Sequence, residues 1–160
     1  GADAGAADLD SGATDPTTPA PTTCASGSNW TRGNRGSDDM NPGQPCLACH
    51  TNTGGEGPMM RYMGTAYPAL HEKDNCNARP TGTVTVEILD SNDAVVEVIP
   101  VSPLSGNFAS ARSGAAISYR ARVKVDGTVK SEMSSLQTNG DCNACHTEQG
   151  ANGAPGRVTY

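Results

Sequence analysis

The sequence is short of most of what builds a large hydrophobic interior. Its 160 residues include one Trp, one Phe and four Tyr, and only 35% of them are apolar. A chain this poor in large side chains buries little by itself, which limits it to one small domain with extensions. No apolar run is long enough to cross a bilayer, so no transmembrane segment is expected. Eleven Lys and Arg stand against seventeen Asp and Glu, a formal charge of −6. No basic stripe exists to neutralise phosphates, and nucleic acid is not an expected partner. Histidine is scarcer still, with three in the chain. No segment has the order of regions that marks a secretion signal.

Against that background the six cysteines stand out. Four fall into two Cys-x-x-Cys-His units, Cys46-Leu-Ala-Cys49-His50 and Cys142-Asn-Ala-Cys145-His146. Superposing Cys46 on Cys142 also brings Ala48 onto Ala144, Thr51 onto Thr147, Gly54 onto Gly150 and Gly57 onto Gly153, with Pro58 and Pro155 one place out of register. Two units with shared flanks are expected to do one job. A haem is attached by this spacing: the two thiols form thioethers with its vinyl groups, and the adjacent imidazole reaches the iron. The expectation is two covalently bound haem c groups, held by Cys46, Cys49, Cys142 and Cys145, with His50 and His146 as proximal metal ligands.

Two competing readings fit less well. Zinc ribbons keep their cysteine pairs roughly 15–20 residues apart, and zinc leaves both adjacent histidines unexplained. A thioredoxin-like pair needs a βαβ setting, which neither motif has. Haem attachment of this kind takes place outside the cytoplasm, so an extracellular or cell-surface location is expected, with the periplasm as the alternative. Gly1 is then read as a mature end left by signal cleavage. The remaining cysteines, Cys24 and Cys76, are expected to pair as a disulfide in that oxidising setting.

Counting ligands narrows the iron chemistry. With His50 and His146 committed, His71 is the one imidazole left, so at most one haem per chain is ligated by two histidines. His71 is the candidate distal ligand, and the other iron must take Met, a weaker ligand or none. Met40, in Asp39-Met-Asn-Pro-Gly43, is the first candidate, ahead of Met59, Met60 and Met63; Met133 is expected in the core. An iron left open would instead make the chain a haem enzyme or a peroxide- or gas-binding protein. No other catalytic constellation is visible, and no enzyme is expected.

Four regions follow from composition and periodicity: an acidic Ala/Thr/Pro-rich arm over residues 1–23, a first haem-binding segment over 24–61, a β-sandwich over 62–136, and a second haem-binding segment over 137–160. In the third, Ile117–Val125 alternates apolar and polar residues, Asp126-Gly127 gives a hairpin turn, and Thr128–Met133 returns with Val129 and Met133 expected inward. Val84, Val86 and Ile88 alternate ahead of a turn at Asp90-Ser-Asn-Asp93, and Val95–Val101 is a richer apolar run. Five to seven short strands predict a mainly β fold, a small sandwich flanked by loop-rich segments and an extended N-terminal arm.

The stretches Gly64-Thr-Ala-Tyr67, Gly82–Asp90 and Gly106-Asn-Phe108 resemble carboxypeptidase regulatory-like (transthyretin-like) sandwiches, a resemblance that implies a fold and no activity. With its paired motifs the chain also resembles small exported multihaem c-type cytochromes, in particular diheme proteins that set Met-Asn-Pro-Gly (here Met40–Gly43) before the first motif and Tyr-Pro-x-Leu-His (here Tyr67–His71) after it. That resemblance implies electron transfer to redox partner proteins or extracellular acceptors. One motif precedes the first strand, the other follows the last, and His71 is expected at the opposite end from both. Such a His71 would reach the iron of an adjacent subunit, an arrangement that resembles extracellular cytochrome filaments. A head-to-tail homo-oligomer is the corresponding expectation.

Overall fold

The computed structural model describes residues 24–26, 37–52 and 59–160. The N-terminal arm over 1–23 and the residues Gly54, Gly57 and Pro58 of the first motif's flank lie outside the described residues. The fold is mainly β, a small two-sheet sandwich built from seven strands among the described residues.

The alternating stretches form the larger sheet. β2 (Val84–Leu89) pairs antiparallel with β3 (Val95–Pro100) on one side and β5 (Arg120–Val125) on the other, and β5 pairs with β6 (Thr128–Glu132), in the order β3-β2-β5-β6. Val84, Val86, Ile88, Tyr119 and Val123 are buried on one face, as period-two patterning requires. On the other face Glu87 lies opposite Arg122 and takes ion pairs from Arg122 at 2.7 Å and Lys124 at 3.1 Å. Asp126 and Gly127 both adopt positive φ, the geometry of a two-residue hairpin whose twist matches its strands.

One inward residue is corrected. Val129 is 42% exposed. An irregularity between Val123 and Lys124 shifts the pairing so that Val129 lies opposite Lys124 and shares its outward face. Met133 does pack against the core.

The smaller sheet has the order β4-β1-β7. β1 (Met63–Tyr67) pairs antiparallel with β4 (Asn107–Ala109) and parallel with β7 (Val158–Thr159), so the C-terminal segment contributes a strand of its own. Between the sheets lie Tyr62, Ala66, Ile88, Ile99 and Phe108, with Tyr62 and Tyr119 packed edge-to-face at 4.6 Å between ring centroids. Edge strand β3 turns Glu97 inward, where its carboxylate accepts hydrogen bonds from Ser110 Oγ at 2.6 Å and Ala111 N at 3.1 Å. An inward charge of this kind blunts an exposed edge and ties it to the loop after β4. No helix among the described residues is long and apolar enough to cross a membrane.

Candidate functional site

Each Cys-x-x-Cys-His unit forms a short helix, α1 (Cys46–Asn52) and α2 (Cys142–Cys145), and both pack on β1. Cysteines three apart on a helix share a face, so each pair can meet one flat group. Two polar side chains of the second unit draw the first unit beside it. Asp141 occupies the N-cap position of α2 but makes no side-chain bond there. Its Oδ2 instead accepts the Ala48 N–H of α1 at 3.0 Å, across 93 residues of sequence. The first-turn N–H groups of a helix have no partner within the helix, so Asp141 caps the neighbouring helix rather than its own.

Asn143, 2% exposed, completes the join. Its Nδ2 donates to Gln44 O at 2.8 Å and Thr65 Oγ1 at 3.0 Å, and its Oδ1 accepts from Thr65 N at 3.0 Å. Thr65 Oγ1 also accepts from Gly43 N at 2.9 Å. A buried amide satisfied in this way holds the approach to the first motif against β1.

Burial sets the electrostatics. The Cys46 and Cys142 thiols are each pushed up to about 12, by desolvation first and then by the Asp141 carboxylate. Cys49 is raised for the same two reasons. Asp141 is itself raised by burial, against the pull of the Ala48, Leu47 and Cys46 N–H groups and of His50.

Two imidazoles are braced alike. His146 Nδ1 lies 2.8 Å from Gly156 O and His71 Nδ1 lies 2.8 Å from Glu148 O. A carbonyl can only accept, so each Nδ1 carries the proton and each Nε2 is left as a lone-pair donor suited to a metal. Gly156 is required at its position, because a Cβ there would stand 2.4 Å from Leu70 O. The expected placement of His71 is thereby corrected. It lies against the loop that follows His146, held by the Leu70 O to Arg157 N bond at 2.8 Å, and not away from both motifs. The strand count misled, because β7 carries the C-terminal segment back along β1 to the residues before His71.

His50 is buried on α1. Met40 sits in the preceding loop, fastened to β4 by Asn107 Nδ2, which donates to Met40 O at 2.8 Å, and to the β3–β4 loop by Asp39, which accepts from Ser102 and Ser105. The Met59 sulfur accepts from Thr51 Oγ1, directly after the first motif, at 3.6 Å. Cys24 and Cys76 form the expected disulfide, with Cα atoms 5.6 Å apart.

A cavity of about 280 Å³ opens between the sheets, with Cys142, Cys145 and His146 in its wall and Val86, Phe108 and Met133 among its apolar lining. The donor set and this lining fit a haem. A thioether keeps the buried sulfur neutral, whereas a zinc thiolate would have to ionise against burial and Asp141. Asp141, Asn143 and Arg157 carry the arrangement, and sequence reading missed them. The one signal was an Asp at an N-cap position, which points to α2 and gives no sign of α1.

No family model, curated protein or solved structure matches the chain.

Proposed function

We propose that the chain is a diheme c-type cytochrome that transfers electrons outside the cytoplasm. The observation that carries this reading is the apolar cavity with Cys142, Cys145 and His146 together in its wall, next to a second unit of the same pattern. Cys46 and Cys49 hold one haem and Cys142 and Cys145 the other, with His50 and His146 as proximal ligands. When bound, each haem supplies a reversible one-electron couple between ferric and ferrous iron.

The chain's own residues do the rest. Gly156 O fixes the His146 ring and its tautomer, Phe108 and Val86 line the cavity and would keep water from a haem bound there, and Asp141 and Asn143 hold the two Cys-x-x-Cys-His units side by side. His71 is the proposed distal ligand to one iron, with Nε2 left open by its bond to Glu148. Met40 is the proposed ligand to the other, with Met59 as its competitor. His71 is exposed, so the iron it serves belongs either to its own chain or to an adjacent copy in a polymer. If the copy, the low-spin spectrum depends on protein concentration; if its own chain, it does not.

The test is an intact mass and a pyridine haemochrome spectrum of protein made in a host that attaches haem c. Two added haems are expected, falling to one in Cys142→Ser/Cys145→Ser and to one in Cys46→Ser/Cys49→Ser. A colourless product with the mass of the bare polypeptide overturns the reading.

A further inference from the structure

Arg157 is 6% exposed, and its partners among the described residues are neutral. Its guanidinium carbon stands 4.4 Å over the Tyr67 ring centroid, its Nε donates to Glu72 O at 3.1 Å, and its Nη2 donates to Asn75 Oδ1 at 2.5 Å. The acids of the adjoining loop are turned elsewhere. Glu72 accepts from Asp74 N and Asn77 Nδ2, and Asp74 accepts from Cys76 N. Among the described residues the Nη1 donors have no protein partner and no carboxylate pairs with the charge.

A guanidinium does not give up its proton, and a buried cation without a counter-charge is costly. The fold nevertheless goes to some length to place it. Tyr67 offers its face, the loop from Leu70 to Asn75 offers two acceptors, and Gly156 lets the Arg157 backbone close on Leu70. The residue also lines the cavity that holds Cys142, Cys145 and His146. A buried cation in a residue that borders that cavity, with Nη1 donors that take no bond among the described residues, is open to an anion that comes from outside the protein.

We infer that Arg157 binds a propionate carboxylate of the haem attached at Cys142 and Cys145, as a positioning residue that fixes the porphyrin and sets its charge environment. The inference rests on the diheme reading and assigns a residue that the Cys-x-x-Cys-His pattern does not contain. Tyr67 and Asn75 support it by holding the planar fork, and a bidentate pair forms with the remaining N–H groups. With the guanidinium in place the propionate's negative charge is offset. Without it that charge stands unbalanced near the iron, favours the ferric state and lowers the midpoint potential of this haem.

The experiment compares redox titrations of the haem-loaded wild type, Arg157→Gln, Arg157→Lys and Asn75→Asp, each checked by intact mass. In Arg157→Gln one of the two midpoints is expected to fall while the other stays, and Arg157→Lys restores most of the loss. Asn75→Asp keeps the guanidinium but gives it an internal carboxylate, and the same midpoint is expected to fall. That variant decides the matter if Arg157→Gln fails to fold. Two haems with unmoved midpoints in Arg157→Gln and Asn75→Asp overturn this assignment alone. A wild type without haem overturns it together with the diheme reading.

Discussion

The two Cys-x-x-Cys-His units share a pattern and are housed in different ways. The second is built into the sandwich: Cys142 is buried in the core cluster, Gly156 braces His146, and the following chain returns to β1 as β7. The first is a helix laid on the outside of β1 and held by side chains that belong to the second. The second motif depends on the core and the first depends on the second, so the same five-residue pattern is expected to respond to different mutations.

The largest break in this comparison comes from Gly64. Its Cβ would meet Phe108 Cζ at 2.7 Å and Cys142 Cβ at 2.8 Å, so α2 seats on β1 only because that side chain is missing. Gly64→Val is expected to destabilise the fold by about 3 kcal/mol and to disturb the second unit more than the first. Thermal unfolding and the haem count at each site, read by peptide mass, check it. Equal loss at both sites would remove the distinction.

A smaller change should act the other way. Asn143→Ala leaves Thr65 N and Gln44 O without their partner, at about 2 kcal/mol. Hydrogen exchange is expected to quicken over residues 44–52 while β2 and β5 keep their protection. Uniform quickening across the chain would mean that the first unit is no more separable than the second.

The smallest effect belongs to the outward face of the larger sheet, opposite the core that Cys142 joins. Burial would raise the Glu87 carboxyl, but the Arg122 and Lys124 hydrogen bonds prevail and hold it below the usual glutamate range. Its folded value is lower than its unfolded one, so its stabilisation is present above the ordinary value and lost as pH falls through the lowered one. Glu87→Gln is expected to flatten the acid limb of the stability curve and to leave both Cys-x-x-Cys-His units unchanged, as unfolding at a series of acidic pH values would reveal.

Much of the larger sheet was legible. Val84, Val86 and Ile88 alternate on β2, Tyr119 and Val123 around β5, and Asp126-Gly127 can hardly be other than a turn, because such signals are local. Val129 was not legible, since a register shift in the pairing has no mark in the residues themselves. β7 is two residues long and carries no periodicity. The site divides the same way: the cysteines and adjacent histidines announce themselves by spacing, whereas Asp141 and Asn143 matter through partners that only the folded chain brings near. Arg157 reads as a surface cation until Tyr67 and the Leu70–Asn75 loop are seen around it.

The borrowed cap on α1 also sets an order of events. A chain delivered from its N-terminus exposes Cys46 and Cys49 while Asp141 is still to come, and the helix that carries them stays uncapped and pliable until then. The earlier pair of thiols is thus open to modification for longest, and arrival of the later pair closes the fold over both.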